Sequence, residues 1–207
     1  MRNQPTAITE VLEAATSDSL VIRKAIWIEA RNRSTGLPEG VGVWSGDEDI
    51  GLTVIEGREG LTVTRPYYGS GNLLTVSDIP LVSDFTVQTV TIDLSQIADV
   101  ARKVTREYDV HRAYVEIHEI LLDPVTGRPV APDEAIFIGI VDGAPHKTPS
   151  IGGSGKASLK VVSEVMAMLT RTSAEKASYE AQKLRDNDEL NLYAGQVETW
   201  DISWGQA

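Results

Sequence analysis

The sequence predicts a mainly β domain, a barrel or sandwich carrying short inserted helices. Short runs rich in Val, Ile, Thr, Trp and Tyr recur along it, turn residues separate them at steady intervals, and helical periodicity is confined to brief segments. At 207 residues, 42% of them hydrophobic, the chain can bury a sizeable core.

Ile8, Val11, Leu12 and Ala15 fall at helical spacing behind Thr6 as N-cap, so residues 1–18 are expected to form an arm with one amphipathic helix. A β domain is expected over 19–170. Its first strand, Leu20 to Ala30, carries Val21, Ile22, Ile26, Trp27 and Ile28 and exits through the turn-rich Asn32 to Pro38. Gly40–Ser45 and Leu52–Glu56 face each other across Gly46-Asp47-Glu48-Asp49, and Leu61–Thr64 alternates as the next strand of a meander. Leu73–Val76 and Phe85–Leu94 follow, the latter with Val90, Ile92 and Leu94 on one face and Thr89, Thr91 and Asp93 on the other. Ser95 caps a helix through Val104. Ala113–Leu122 returns to strand, Asp123–Gly127 turns, and Ala135–Val141 is a buried strand before a Gly, Pro and Ser-rich loop over 142–155. Leu159–Leu169 fits helix and strand alike and is assigned to strand. In the C-terminal part, 171–207, expected to pack on the same domain, Thr172-Ser173-Ala174-Glu175 reads as a capping box opening a helix to about Arg185, and Trp200–Trp204 as a closing strand.

Several kinds of chemistry drop out on residue types alone. The chain has no Cys, which removes disulfides, thiolate metal sites and cysteine nucleophiles. A formal net charge of −11 repels nucleic acid at long range, so sequence-specific DNA binding is not expected. No apolar run approaches the ~20 residues of a membrane helix, and the N-terminus lacks the succession of a secretion signal. Ser150-Ile151-Gly152-Gly153-Ser154-Gly155-Lys156-Ala157 has the Gly-Lys of a phosphate loop but puts Ser150 at the first Gly and Ala157 at the metal-binding hydroxyl. His111, His118 and His146 lack ligand spacing, and Asp47-Glu48-Asp49 lacks the alternation of a calcium loop. No Gly-x-Ser-x-Gly elbow occurs. Glu116 and His118 share a strand face and can serve as base and orienter, although a solvated cross-strand pair is the plainer reading. Tyr67-Tyr68-Gly69-Ser70-Gly71 offers aromatics for a sugar platform, against turn and core roles. No cofactor or metal and no catalytic centre is expected.

Three features carry a resemblance. The Tyr-Asp step of Arg106-Glu107-Tyr108-Asp109 closes the central helix, a strand ends in Asp123-Pro124-Val125-Thr126-Gly127, and Phe137-Ile138-Gly139-Ile140-Val141-Asp142-Gly143-Ala144-Pro145 lies beyond it. The C-terminal run Arg171-Thr172-Ser173, Ser178, Gln182, Arg185 and Asp188 follows. From about Trp44 onward this succession resembles the tail-tip proteins of long-tailed bacteriophages and gene-transfer particles, of the baseplate-hub and distal-tail type.

The resemblance implies a tail-tube-like β-barrel or β-sandwich, three-fold or six-fold homo-oligomeric rings around a DNA channel, and contacts with tail tube, tape-measure and other tail-tip proteins. It also implies a structural role in a virion assembled in a bacterial cytoplasm. Arg171, Gln182 and Arg185 are the expected interface residues, since polar groups repeated along one helix can bond a neighbour's strand edge, with a buried network within the chain as the alternative. Asp47, Glu48 and Asp49 are the expected channel-facing acids, which would let DNA phosphates slide without sticking. A carbohydrate-binding module needs Trp44, Tyr67 or Tyr68 exposed on a flat patch; a small carboxylate-dependent hydrolase needs a concave pocket around Glu116 and His118.

Overall fold

The computed structural model describes residues 5–15, 20–80, 86–95, 104, 106–147, 155–170 and 178–193. The chain divides into two units, 1–169 and 170–207. In the first, α1 (Thr6–Ala14) buries Ile8. Pro5, extended at φ −56° and ψ 140°, takes the N-cap place, and its carbonyl accepts the N–H groups of Ile8 and Thr9; Thr6, expected as the cap, is the first helical residue.

Among the described residues ten strands follow: β1 (Val21–Asn32), β2 (Pro38–Trp44), β3 (Ile50–Ile55), β4 (Thr62–Gly69), β5 (Leu74–Val76), β6 (Thr89–Ser95), β7 (Tyr108–Leu122), β8 (Phe137–Gly143), β9 (His146–Lys147) and β10 (Lys156–Ser163). They form one mixed sheet in the order β3-β4-β2-β1-β7-β8-β10-β6-β5, with β9 on β10, and the sheet curls into a half-barrel. This is the mainly β architecture that the alternation along the chain predicts.

The connection of β2, β3 and β4 corrects the expected meander. β4 inserts between β2 and β3, antiparallel to β3 but parallel to β2 through Gly42↔Tyr67, Val43↔Tyr68 and Trp44↔Gly69. A parallel pair needs a crossover, and β3 supplies it. Gly42 permits the close approach, because a Cβ there would lie 2.4 Å from the Pro66 carbonyl oxygen and 2.7 Å from the Tyr67 ring. Tyr67 and Tyr68 therefore continue a strand instead of making a turn.

Strands β1, β2 and β7 are buried on both faces, which the long buried runs Ala25–Ile28 and Val41–Trp44 reflect. One face joins Ile26, Ile28, Val41, Val43, Val115 and Ile117 to Val90, Ile92 and Leu94 of β6 and to Leu159 and Val161 of β10. Full burial of each such side chain contributes about 1.5–3 kcal/mol. The other face packs Ala25, Trp27, Trp44, Leu52, Val54, Tyr67, Ile120 and Leu122. Around this second cluster the far edge of the sheet returns: Ile55 bridges Glu134, its N–H reaching the Asp133 carbonyl at 3.2 Å, while Val130 and Ile136 donate back to Leu121 and Ile117 of β7.

β7 begins at Tyr108, five residues before the expected start at Ala113, so the Tyr-Asp step opens a strand. Of the expected helix after Ser95, residues 96–103 and 105 lie outside the described residues; Val104 is helical and buried. The ambiguous stretch Leu159–Leu169 is strand only to Ser163 and then helix, α2 (Val165–Thr170). In the second unit, α3 (Tyr179–Lys183) starts behind Ser178, whose Oγ accepts the Ala181 N–H at 3.3 Å. The capping-box residues 172–175 and the expected strand 200–204 lie outside the described residues.

Candidate functional site

Strand alternation does bring Glu116 beside His118, but the pair is not solvated. Both lie inside the second cluster at 1% and 0% exposure, because β3 and β4 cover that face of β7. The sequence shows that the two residues share a face; it does not show that the face is roofed. Arg65 of β4 enters from the roof, its Nη1 donating to Glu116 Oε2 at 2.6 Å and its Nη2 to Glu56 at 3.0 Å, with the guanidinium 4.7 Å from the Trp27 ring centroid. Tyr114 Oη and the Gly57 N–H donate to Glu116 Oε1, both at 3.0 Å, and His118 Nε2 stands 3.3 Å from Oε2.

Burial alone would push the Glu116 carboxyl up; the bonds from His118, Gly57 and Arg65 outweigh it and hold the pKa down at about 2. Burial, above all, pushes the Tyr67 hydroxyl up to about 12 and raises that of Tyr114 as well. An ionised carboxylate with this many donors is a poor proton acceptor, and its burial keeps a substrate from reaching it. The arrangement clamps the turn after β3 and the strand β4 onto β7. Trp44 and Tyr67 are likewise buried, and Tyr68 is half-buried, so the flat aromatic patch of a sugar-binding module is absent from these three positions.

The acidic segment Asp47-Glu48-Asp49 is exposed and held in shape from below. Trp44 Nε1 donates to the Glu48 carbonyl at 2.7 Å, Asp49 Oδ1 accepts the Gly69 N–H at 2.9 Å, and the missing side chain of Gly69 leaves room for the Asp47 backbone, which a Cβ would approach to 2.7 Å. The Asp-Pro-Val-Thr-Gly element closes on itself: Asp123 Oδ1 accepts from the Val125 and Thr126 N–H groups, Gly127 takes φ 68°, and Val125 is 91% exposed at the tip.

A feature with no sequence signal lies at the other end of β2. The β1–β7 register runs Glu29↔Tyr114 and then Arg31↔Asp109, so Val110, His111, Arg112 and Ala113 stand opposite Ala30. Val110 and Ala113 turn inward, His111 and Arg112 outward, and Arg112 adopts φ 59°. An open groove of about 390 Å³ results, lined by Glu29, Ala30, Arg31, Pro38, Asp109, His111, Arg112 and Ala113. It does not include Glu116 or His118.

Among the expected interface residues, Arg171 lies outside the described residues. Gln182 Nε2 donates to Asp188 Oδ2 at 2.8 Å across a turn in which Asp186 and Asn187 both take positive φ, and Arg185 is exposed. Of the phosphate-loop look-alike, residues 150–154 lie outside the described residues, while Lys156 opens β10 with its ammonium 3.7 Å from Asp93. Among the described residues no group of His, Asp or Glu is placed to hold a metal, and no helix is long and apolar enough to cross a membrane.

Fold and geometry thus define a mainly β half-barrel protein whose most buried charges hold its own strands together. No protein-family model matches the chain, and no curated protein matches it.

Proposed function

We propose that the chain is a structural protein of a phage tail tip, of the hub or distal-tail type, that associates with itself around the DNA channel and links the tail tube to tip or fibre proteins. It acts by association, without catalysis. The observation that carries the reading is the curled sheet that stops at a half-barrel: among the described residues its last strand, β5, pairs on one side only. A subunit in a ring has neighbours to continue such an edge. The burial of Glu116 and His118 beneath Arg65 favours this reading over a hydrolase, and the burial of Trp44 and Tyr67 favours it over a carbohydrate-binding module.

Light scattering of the purified chain over a range of concentrations, followed by electron microscopy of any large species, tests self-association. The expected result is a closed annulus, formed by the chain alone or on addition of tail-tube protein. A chain that stays monomeric with tail-tube protein present contradicts the ring.

A further inference from the structure

We propose that the groove at the β7 bulge is a docking site for the acidic segment Asp47-Glu48-Asp49 of a second copy of this chain, joining copies head to tail. The inference rests on the self-associating reading above and names the contact that would produce it.

The groove brings two exposed arginines, unpaired among the described residues, together on one stretch of the sheet. Of its two carboxylates, Glu29 pairs with Arg58 at 3.0 Å, while Asp109, whose Oδ1 accepts the His111 N–H at 3.2 Å, keeps its charge, so two arginines against one free carboxylate leave the groove net positive. The side chains of Arg31 and Arg112 are exposed and have no partner among the described residues, and the His111 imidazole is exposed beside them. The bulge lifts His111 and Arg112 off the ladder and turns them outward beside Arg31; the left-handed backbone of a non-glycine residue such as Arg112 costs on the order of 1 kcal/mol or more and persists only where the surroundings impose it.

The proposed occupant has the complementary chemistry and is already in shape. Asp47 and Glu48 offer exposed carboxylates, and the bonds from Trp44 and Gly69 fix the backbone that carries them, so little ordering entropy is lost on docking. Guanidinium–carboxylate pairs supply directional bonds as well as charge attraction. Groove and acidic tip lie at opposite ends of β2, the groove at Pro38 and the tip just past Trp44, separated by roughly 20 Å of strand. One copy therefore cannot satisfy itself. Contacts between opposite ends of a subunit are heterologous and propagate into rings or filaments. On this account Asp47 and Glu48 belong to the subunit contact and not to the channel wall.

The test uses the full chain at low ionic strength, with mass followed against concentration by light scattering. Arg31→Glu/Arg112→Glu and, separately, Asp47→Lys/Glu48→Lys are each expected to weaken association by about 100-fold. Mixing the two in equal amounts is expected to restore it, because one contact is then wild type and the next is charge-swapped. A second groove variant, Arg31→Gln/Arg112→Gly, relieves the backbone strain; it is expected to unfold at a higher temperature than the wild type and still to associate poorly, which misfolding cannot explain. Groove and tip variants that associate like a self-associating wild type overturn this contact and leave the tail-tip reading standing. A wild-type chain that is monomeric on its own at every concentration also overturns the contact, while the tail-tip reading is then decided by assembly with tail-tube protein.

Discussion

Replacing Arg65 with leucine is expected to destabilise the chain by about 3–5 kcal/mol, because it leaves the Glu116 carboxylate buried without its cation. For a chain of this size that corresponds to a fall in melting temperature of roughly 10 °C or more. The double variant Arg65→Leu/Glu116→Leu is expected to recover part of the loss, since an apolar pair of similar volume needs no counter-charge. Thermal unfolding followed by circular dichroism measures both, and a neutral Arg65→Leu would show that the Arg65–Glu116 pair does not clamp β4 onto β7. Acid provides a second readout of the network. Glu116 titrates at about 2 in the fold against an ordinary 4.5, so its contribution is complete above pH 4.5 and is lost as the pH falls toward 2. Glu116→Gln is expected to be less stable than wild type at neutral pH, with the difference narrowing across that window.

Gly42→Val is the second large effect. The added carbons would run into the Pro66 carbonyl oxygen and the Tyr67 ring, and the obstacle is backbone as much as side chain, so the β2–β4 ladder must separate. Overpacking of this kind costs about 1–3 kcal/mol, and separating the parallel pair, which holds the β4 roof over Glu116, adds to it. Gly51→Ala is the control on the same sheet: a Cβ there meets only the Thr64 methyl, at 3.8 Å. Denaturant unfolding of the two variants should show a lowered midpoint for Gly42→Val and little change for Gly51→Ala.

Much of the fold was legible because one-sided strands write their burial into the sequence. Val90, Ile92 and Leu94 alternate with Thr89, Thr91 and Asp93, and the structure buries the first three. What alternation could not convey was the roof over β7. Tyr114, Glu116, His118 and Ile120 read as a mixed face, and only the insertion of β4 beside β2, which depends on the absence of a side chain at Gly42, shows that the face is covered. Arg65 was hidden for the same reason, since its partner lies 51 residues away in the chain. The bulge was illegible in a different way: an arginine carries no mark of positive φ, whereas a Gly or Asn at position 112 would have signalled it. The acidic segment stood out as exposed charge, and its rigidity emerged only from the bonds made by Trp44 and Asp49.

The proposed place of this chain at a phage tail tip is open to direct observation. The most direct measurement is immunogold electron microscopy, with antibody raised against the purified chain, on tailed particles from the strain that encodes it. Label is expected only at the end of the tail remote from the capsid. Intact tails without label there, with the chain recovered only in the soluble fraction, would contradict it.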